Sequence, residues 1–306
     1  MNTSTIAVIG SGQMGAGIAA IFSAAGHPVV LLGRDVPRLQ ARLPAIGALA
    51  GTLQPSAQHG PLSAAGVNTW NDWTGVELVI ETISEDLAAK RALFAALDRC
   101  VPSHIPIGSN SSGYGIDEMT EGLGTTDRML NVHYSMPAHI VPMVEVAMGS
   151  RTSLPLAEGV CRLIQATGKK TTLIRQYIPG LLITRLQHAL MREALSLVDR
   201  GLVTPQDIDD AVRFGFGFRF AALGPMAQKE MSGWDTHVAS GASVYPSLSN
   251  ISTPPACVAD LVKQGRTGMK SGAGFEEWTP DEVAAFRQRY EARLQAAFAV
   301  LGVAPD

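Results

Sequence analysis

A chain of 306 residues with 46% hydrophobic and 17% charged side chains can bury one large core or two ordinary ones. Its formal net charge of -3, with Lys and Arg scattered along the chain, leaves no basic face for nucleic acid. Cys100, Cys161 and Cys257 are an odd, widely spaced set without a CxxC pair, which argues against a disulfide frame or a zinc site and fits reduced thiols in a cytosol.

Met1 to Thr5 is polar and uncharged in its side chains, so no targeting segment is expected and the protein reads as cytoplasmic. Thr5 to Ile9 ("TIAVI") is a β-branched strand, a glycine turn follows, and Met14 to Ala25 is helical up to Gly26. "PVVLL", "ELVIETI" and "IPIGSN" are further apolar strands, and "MLNVH" is a short one. Near-continuous apolar strands separated by helical stretches predict a parallel sheet covered on both faces. Gly51 to Thr74 reads as a shortened helical connection.

From Pro179 the texture changes. "PGLLITRLQHALMREALSLVDRG" predicts one long helix ended by Gly201, and a second begins with Thr204 as N-cap, Pro205 first and Asp207 three beyond the cap. "TPDEVAAFRQRYEARLQAAFAVLG" predicts a third. Arg185, Gln187, His188, Arg192 and Glu193 interrupt the apolar run from Leu181 to Val198, so a soluble helix is expected in place of a membrane span. No strand of comparable strength follows Thr172. The expected architecture is α/β, with an N-terminal dinucleotide-binding domain (1–178) and a C-terminal all-helical domain (179–306).

"VIGSGQMGAGIA" sets Gly10, Gly12 and Gly15 in G-x-G-x-x-G spacing between strand and helix. Gly10 permits the turn, Gly12 admits a pyrophosphate to the backbone, and Gly15 lets helix and sheet pack, with Gln13 and Met14 beside the phosphates at the helix start. Gly33 ends the second strand where an acidic side chain would hold the 2′-hydroxyl of NAD. Its small size and the neighbouring Arg34 suit a 2′-phosphate, so NADP(H) is the expected cofactor and NAD(H) the other one considered. In the competing reading Arg34 is a solvated loop residue and Asp35 reaches back to the ribose.

Asn110, Ser111 and Ser112 follow a strand end, the rim where open α/β sheets bind ligands, and Asn110 is expected to meet the cofactor. His133 ends "MLNVH", and Glu145 lies in "MVEV". A histidine oriented by a carboxylate can move a proton to or from an alcohol oxygen during hydride transfer, and a serine can hold that oxygen. By spacing alone a buried, satisfied core histidine is the more ordinary reading. No metal set is evident.

Taken in order, "GSGQMGAGIA", "VIETISEDLAAKRALFAALD", "SNSSG", "VHYSMPAHIVPMVEV", "PGLLITRLQHALMREALSLVDRGLVTPQDIDDAV" and "GRTGMKSGAGF" resemble the 3-hydroxyacyl-CoA dehydrogenase superfamily. "RLQHALMREAL" and "GFGFRFAALGP" are more similar to the branch of L-gulonate dehydrogenase, lambda-crystallin and carnitine dehydrogenase. The resemblance implies a Rossmann domain, a helical dimerisation domain and a site between them. It implies that Ser112 contacts the substrate oxygen, His133 is the general acid/base and Glu145 orients it. Thr184 stands in "ITRL" where the family has an amide in "VNRL", and "HYSMP" puts Ser135 and Met136 where the family has a bulky side chain and an amide. The pocket is therefore expected to be less polar than a hydroxyacyl site. Gly51 to Thr74 contains no Lys or Arg to meet the phosphates of CoA.

The expected function is an NADP(H)-dependent oxidoreductase interconverting a non-CoA secondary alcohol and a ketone, as a homodimer with a small-molecule substrate and no nucleic-acid or membrane partner. The alternatives are reduction of cyclic C=N substrates on the same scaffold, where loss of the amide is tolerated, and a non-catalytic crystallin-like protein that retains the cofactor.

Overall fold

In the computed structural model, which describes residues 4–301 apart from the side chains at 298 and 299, the apolar runs of the first half form one sheet. The part of the N-terminal reading on Met1 to Thr3 lies outside the described residues. The strands are β1 (Thr5–Ile9), β2 (Val29–Gly33), β3 (Leu62–Gly66), β4 (Val76–Glu81), β5 (Ile107–Ser109), β6 (Met129–Tyr134), β7 (Met143–Met148) and β8 (Lys170–Ile174). Their order is β3-β2-β1-β4-β5-β6-β7-β8, and β6 with β7 is the antiparallel pair in an otherwise parallel sheet. The order reverses between β1 and β4, which opens the C-terminal edge of the sheet to a ligand there.

Burial on both faces explains why these strands are so uniformly apolar. Ile6 and Val8 of β1 pack with Ile18, Phe22 and Leu31 in one core, while Ala7 and Ile9 face the other core with Val30, Leu32 and Phe94. Helices α1 (Gln13–Ala24), α2 (Val36–Leu53), α3 (Leu87–Cys100), α4 (Ile116–Met119) and α5 (Leu154–Gln165) follow in chain order. Short polar side chains start two of them: Asp35 accepts from the Arg38 N–H at 3.0 Å and Asp86 from the Ala89 N–H at 2.7 Å.

Gly51 to Thr74 is not a helical connection. The helix stops at Leu53, and Leu62–Gly66 becomes β3, the edge strand, paired with β2 at five positions from Val29↔Leu62 to Gly33↔Gly66. "LSAAG" carries weak strand propensity, and it is the open edge of β2 that makes it extend.

Contacts divide the chain after Arg185, with a second unit from Leu186 onward. Helix α6 (Ile183–Asp199) runs across the division, and α7 (Pro205–Asp210) begins with the expected box: Thr204 accepts from the Asp207 N–H, and Asp207 accepts from the Thr204 N–H at 2.8 Å. A π-helical stretch at Ala211–Gly217 leads into α8 (Phe218–Ala222), α9 (Pro225–Ser232), α10 (Trp234–Val244), α11 (Ala256–Lys263) and α12 (Pro280–Leu301). The last opens on the same Thr-Pro chemistry, Glu282 accepting from the Thr279 N–H at 2.8 Å. Among the described residues no helix is long and apolar enough to cross a membrane.

Candidate active site on the C-terminal edge of the sheet

Two of the three glycines of the first turn meet a steric demand, and the third leaves the turn open. Gly10 has φ +103°, and a Cβ there would lie 2.8 Å from Thr82 Oγ1. At Gly15 a Cβ would lie 2.1 Å from the Gly10 carbonyl oxygen, so only glycine lets α1 pack against the turn. At Gly12, the N-cap of α1, nothing lies within 4 Å of an added Cβ. The turn is closed by protein at Gly10 and Gly15 and open at Gly12, with Gln13 exposed and Met14 half-buried at the helix start. This open cradle fits a diphosphate. Gly15→Ala is expected to destabilise the domain by about 1–3 kcal/mol through overpacking, read as a lowered midpoint in denaturant.

Gly33 closes β2, and Arg34 is exposed without an ion pair or hydrogen bond among the described residues. Asp35 is engaged as the N-cap of α2.

His133 sits on β6 directly opposite Glu145 on β7, in antiparallel register, so their side chains leave the sheet on one face. His133 Nδ1 lies 2.9 Å from Glu145 Oε2. The other carboxylate oxygen accepts from the Leu182 N–H at 2.7 Å and the Ile183 N–H at 2.9 Å, at the start of α6. Leu181, fully buried and at φ +52°, turns the chain into that position. Burial pushes the Glu145 carboxyl up, but the bonds from His133 and from the Ile183 and Leu182 N–H groups outweigh it and hold the carboxyl below its ordinary value. An ionised Glu145 can only accept, so in the neutral imidazole the proton lies on Nδ1 and Nε2 keeps its lone pair.

Asn110 supports this strand end: its Oδ1 accepts from the Tyr134 N–H at 2.9 Å, one residue beyond His133. Below it lies a charged network that the spacing of the motifs does not show. Glu81, fully buried, accepts from Lys90 Nζ at 2.7 Å and from Ser109 Oγ at 2.6 Å. Glu85 accepts from Ser111 Oγ at 2.6 Å and from the Gly113 N–H at 2.8 Å, holding the loop that carries Ser112. Both acids and Lys90 stand in "ETISEDLAAK", where a strand end followed by a helix start carries four charges, and that is the available signal. Ser112 is exposed and Thr184 half-buried, and neither side chain makes a hydrogen bond among the described residues. The structure thus couples His133, Glu145 and Asn110, and does not bond Ser112 or Thr184 to that group. Met136 is 62% exposed beside them in sequence. No cluster of potential metal ligands occurs among the described residues.

Comparison with known proteins gives the family. Residues 5–177 match the model of the 3-hydroxyacyl-CoA dehydrogenase NAD binding domain, and residues 180–278 that of the family's C-terminal domain. The chain is 31% identical over 304 residues to 5-formyl-3-hydroxy-2-methylpyridine 4-carboxylate 5-dehydrogenase of Mesorhizobium japonicum, covering 97% of each chain. It is 32% identical over 239 residues to L-carnitine dehydrogenase of Streptomyces coelicolor, covering 76% of this chain and 74% of that one. Among solved structures, an NAD+-dependent 5-formyl-3-hydroxy-2-methylpyridine 4-carboxylic acid 5-dehydrogenase matches with a TM-score of 0.88 and 28% identity, covering 98% of this chain and 99% of that one. The chain is therefore an oxidoreductase of the 3-hydroxyacyl-CoA dehydrogenase family.

Proposed function

We propose that the chain interconverts a small non-CoA secondary alcohol and its ketone, with His133 as general acid/base. The observation that carries this reading is the His133–Glu145 pair at 2.9 Å, with the second carboxylate oxygen held by two backbone N–H groups. Nε2 can take the hydroxyl proton, and Glu145 stabilises the imidazolium that forms. A bound nicotinamide supplies the hydride acceptor or donor. Ser112, with its hydroxyl uncommitted, is assigned to the substrate oxygen, and Thr184 to the pocket wall where the family carries an amide. The working division keeps 1–178 as the cofactor domain and 179–306 as the helical one. Turnover of ketones and secondary alcohols, followed by nicotinamide absorbance, tests the reading, and silence on all of them rejects it.

Two features support a preference for NADP(H). Arg34 is exposed and unpaired, with Arg38 exposed one helical turn on, and Asp35 already caps α2 and is not free to hold a ribose. The solved relative named above is NAD+-dependent, and Gly33 with Arg34 is the local feature on which the opposite preference for this chain rests. One charge-assisted pair to phosphate is worth roughly 1.5–3 kcal/mol, on the order of tenfold to a hundredfold in affinity. NADPH is expected to bind that much more tightly than NADH, and Arg34→Ala to abolish the difference in a fluorescence titration.

A homodimer through the helical unit is the expected assembly. Among the described residues from Leu186 onward, Ala194 is the one buried apolar side chain, while Phe214, Phe218, Met231 and Val238 are each at least 68% exposed. A helical unit with so little interior needs a second apolar surface. Sedimentation at micromolar concentration should return twice the chain mass, and a monomer would refute the assembly.

A further inference from the structure

Asn131 stands on β6 two residues before His133, so the two side chains leave the strand on the same face. It is fully buried, in a strand whose alternate residues Leu130, Val132 and Tyr134 belong to the apolar core. An amide in such a place costs stability unless both of its ends are bonded. Both are. Oδ1 accepts from the Ile116 N–H at 2.8 Å, and Nδ2 donates to the Tyr114 carbonyl oxygen at 3.0 Å, with the Ser111 carbonyl oxygen farther off at 3.5 Å. These partners fix which end is oxygen, since a flipped amide would set N–H against N–H and oxygen against oxygen.

All three partners lie in the stretch from Ser111 to Ile116, which leads from β5 into α4 and carries Ser112. The strand meets this loop a second time, where Asn110 Oδ1 accepts from the Tyr134 N–H at 2.9 Å. β6 thus grips the loop at Asn131 and at Tyr134, on either side of His133 in sequence. On the loop, Ser112 falls between the two gripped positions, Asn110 and Tyr114, and its exposed side chain makes no hydrogen bond among the described residues. Glu85 ties the neighbours of Ser112 to the β4 side, but the bond from the loop to the strand of His133 runs through the Asn131 amide.

From this arrangement we infer that Asn131 is a positioning residue for the reaction: it holds the Ser112 hydroxyl in register with His133, so that both meet the same substrate oxygen. The inference rests on the dehydrogenase reading above and on its assignment of Ser112. As the alcohol proton leaves for His133, charge grows on that oxygen, and a donor already in place stabilises the transition state more than the ground state. A displacement of about 1 Å can cost on the order of 10² in rate, so a single amide that spans loop and strand is enough to matter.

The test is a double-mutant cycle of Asn131→Leu with Ser112→Ala, read as kcat and KM for a secondary alcohol. Asn131→Leu should lower kcat by about 10- to 10²-fold, with KM changed less and the affinity for reduced cofactor unchanged. In the Ser112→Ala background it should cost almost nothing further, because the group it places is already gone. Leucine leaves the Ile116 N–H and the Tyr114 carbonyl without partners, so thermal melting checks the fold. Asn131→Ser, which leaves room for a water between the same groups, carries the identical cycle if the leucine variant does not fold. Amide hydrogen exchange from Ser111 to Ile116 should rise in the folded variant while that of β6 stays slow. An unchanged kcat, an equal loss with and without the Ser112 hydroxyl, or unchanged exchange in the loop would each overturn the positioning role. Ser112→Ala with full activity would overturn it too, by removing the group through which Asn131 acts. Each of these leaves alcohol oxidation by the unmutated protein in place, and with it the dehydrogenase reading. Silence of the unmutated protein on every alcohol and ketone rejects that reading instead, and the role of Asn131 falls with it.

Discussion

Replacing His133 with Ala is expected to lower kcat for a secondary alcohol by about 10²- to 10⁴-fold, the usual contribution of a positioned acid/base. The imidazole is held from one side by Glu145, and Nε2 is left for the substrate. KM should change little, because the proton is transferred in the transition state and is not a large part of ground-state binding. A cyclic imine separates the roles further. A preformed iminium already carries its proton, so the loss on His133→Ala should be much smaller at a pH where the substrate is cationic. Parallel pH profiles of the parent and the variant, with a ketone and with a cyclic imine, make the comparison. An equally severe loss on the cationic imine would contradict this division of labour, and undiminished turnover of alcohols would remove His133 from the chemistry.

The parts of the fold that sequence reveals are those whose signal is local. Gly10 and Gly15 answer to two steric demands around an open Gly12 within six residues, and Thr204 with Asp207 caps a helix within four, so residue type and spacing are enough. Strand β3 fails that condition. Its "LSAAG" has neither β-branched residues nor alternation, and it is extended because β2 offers it a partner. The pairing of His133 with Glu145 is an intermediate case. Both residue types are visible, but their contact depends on the antiparallel return of the chain between β6 and β7.

The support of the site is harder to read, for a physical reason. Glu145 is anchored by the N–H groups of Leu182 and Ile183, and a backbone donor leaves no trace in residue identity. Lys169 holds three carbonyl oxygens, again without a side-chain partner. Lys90 looks like an ordinary solvated helix charge until the fold buries it against Glu81. Catalytic residue types are therefore easier to find than the groups that place them.

Glu145→Gln should show that placement directly. The amide keeps one acceptor oxygen, and the Leu182 and Ile183 N–H groups require it, so the NH₂ group must turn to His133. It can only donate there, which forces the imidazole proton from Nδ1 to Nε2 and removes the base that alcohol oxidation needs. A wrong tautomer with intact geometry costs on the order of 10⁴ in the serine protease triad, and a fall of about 10²- to 10⁴-fold is expected here. Stability should respond as well. The folded carboxyl is held below its ordinary value, so the ionised form stabilises the native state at pH above the unfolded value of about 4.3, and that contribution is lost as pH falls through the lower folded value. Glutamine has no such contribution. Denaturant unfolding should therefore show the parent more stable by roughly 1.5–3 kcal/mol at about pH 7, the range for a hydrogen bond to a charged group, with the gap narrowing as the pH falls below about 4. A gap independent of pH would mean that the charge on Glu145 is not what the N–H groups and His133 recognise, and an unchanged rate of alcohol oxidation would mean that the carboxylate does not set the tautomer.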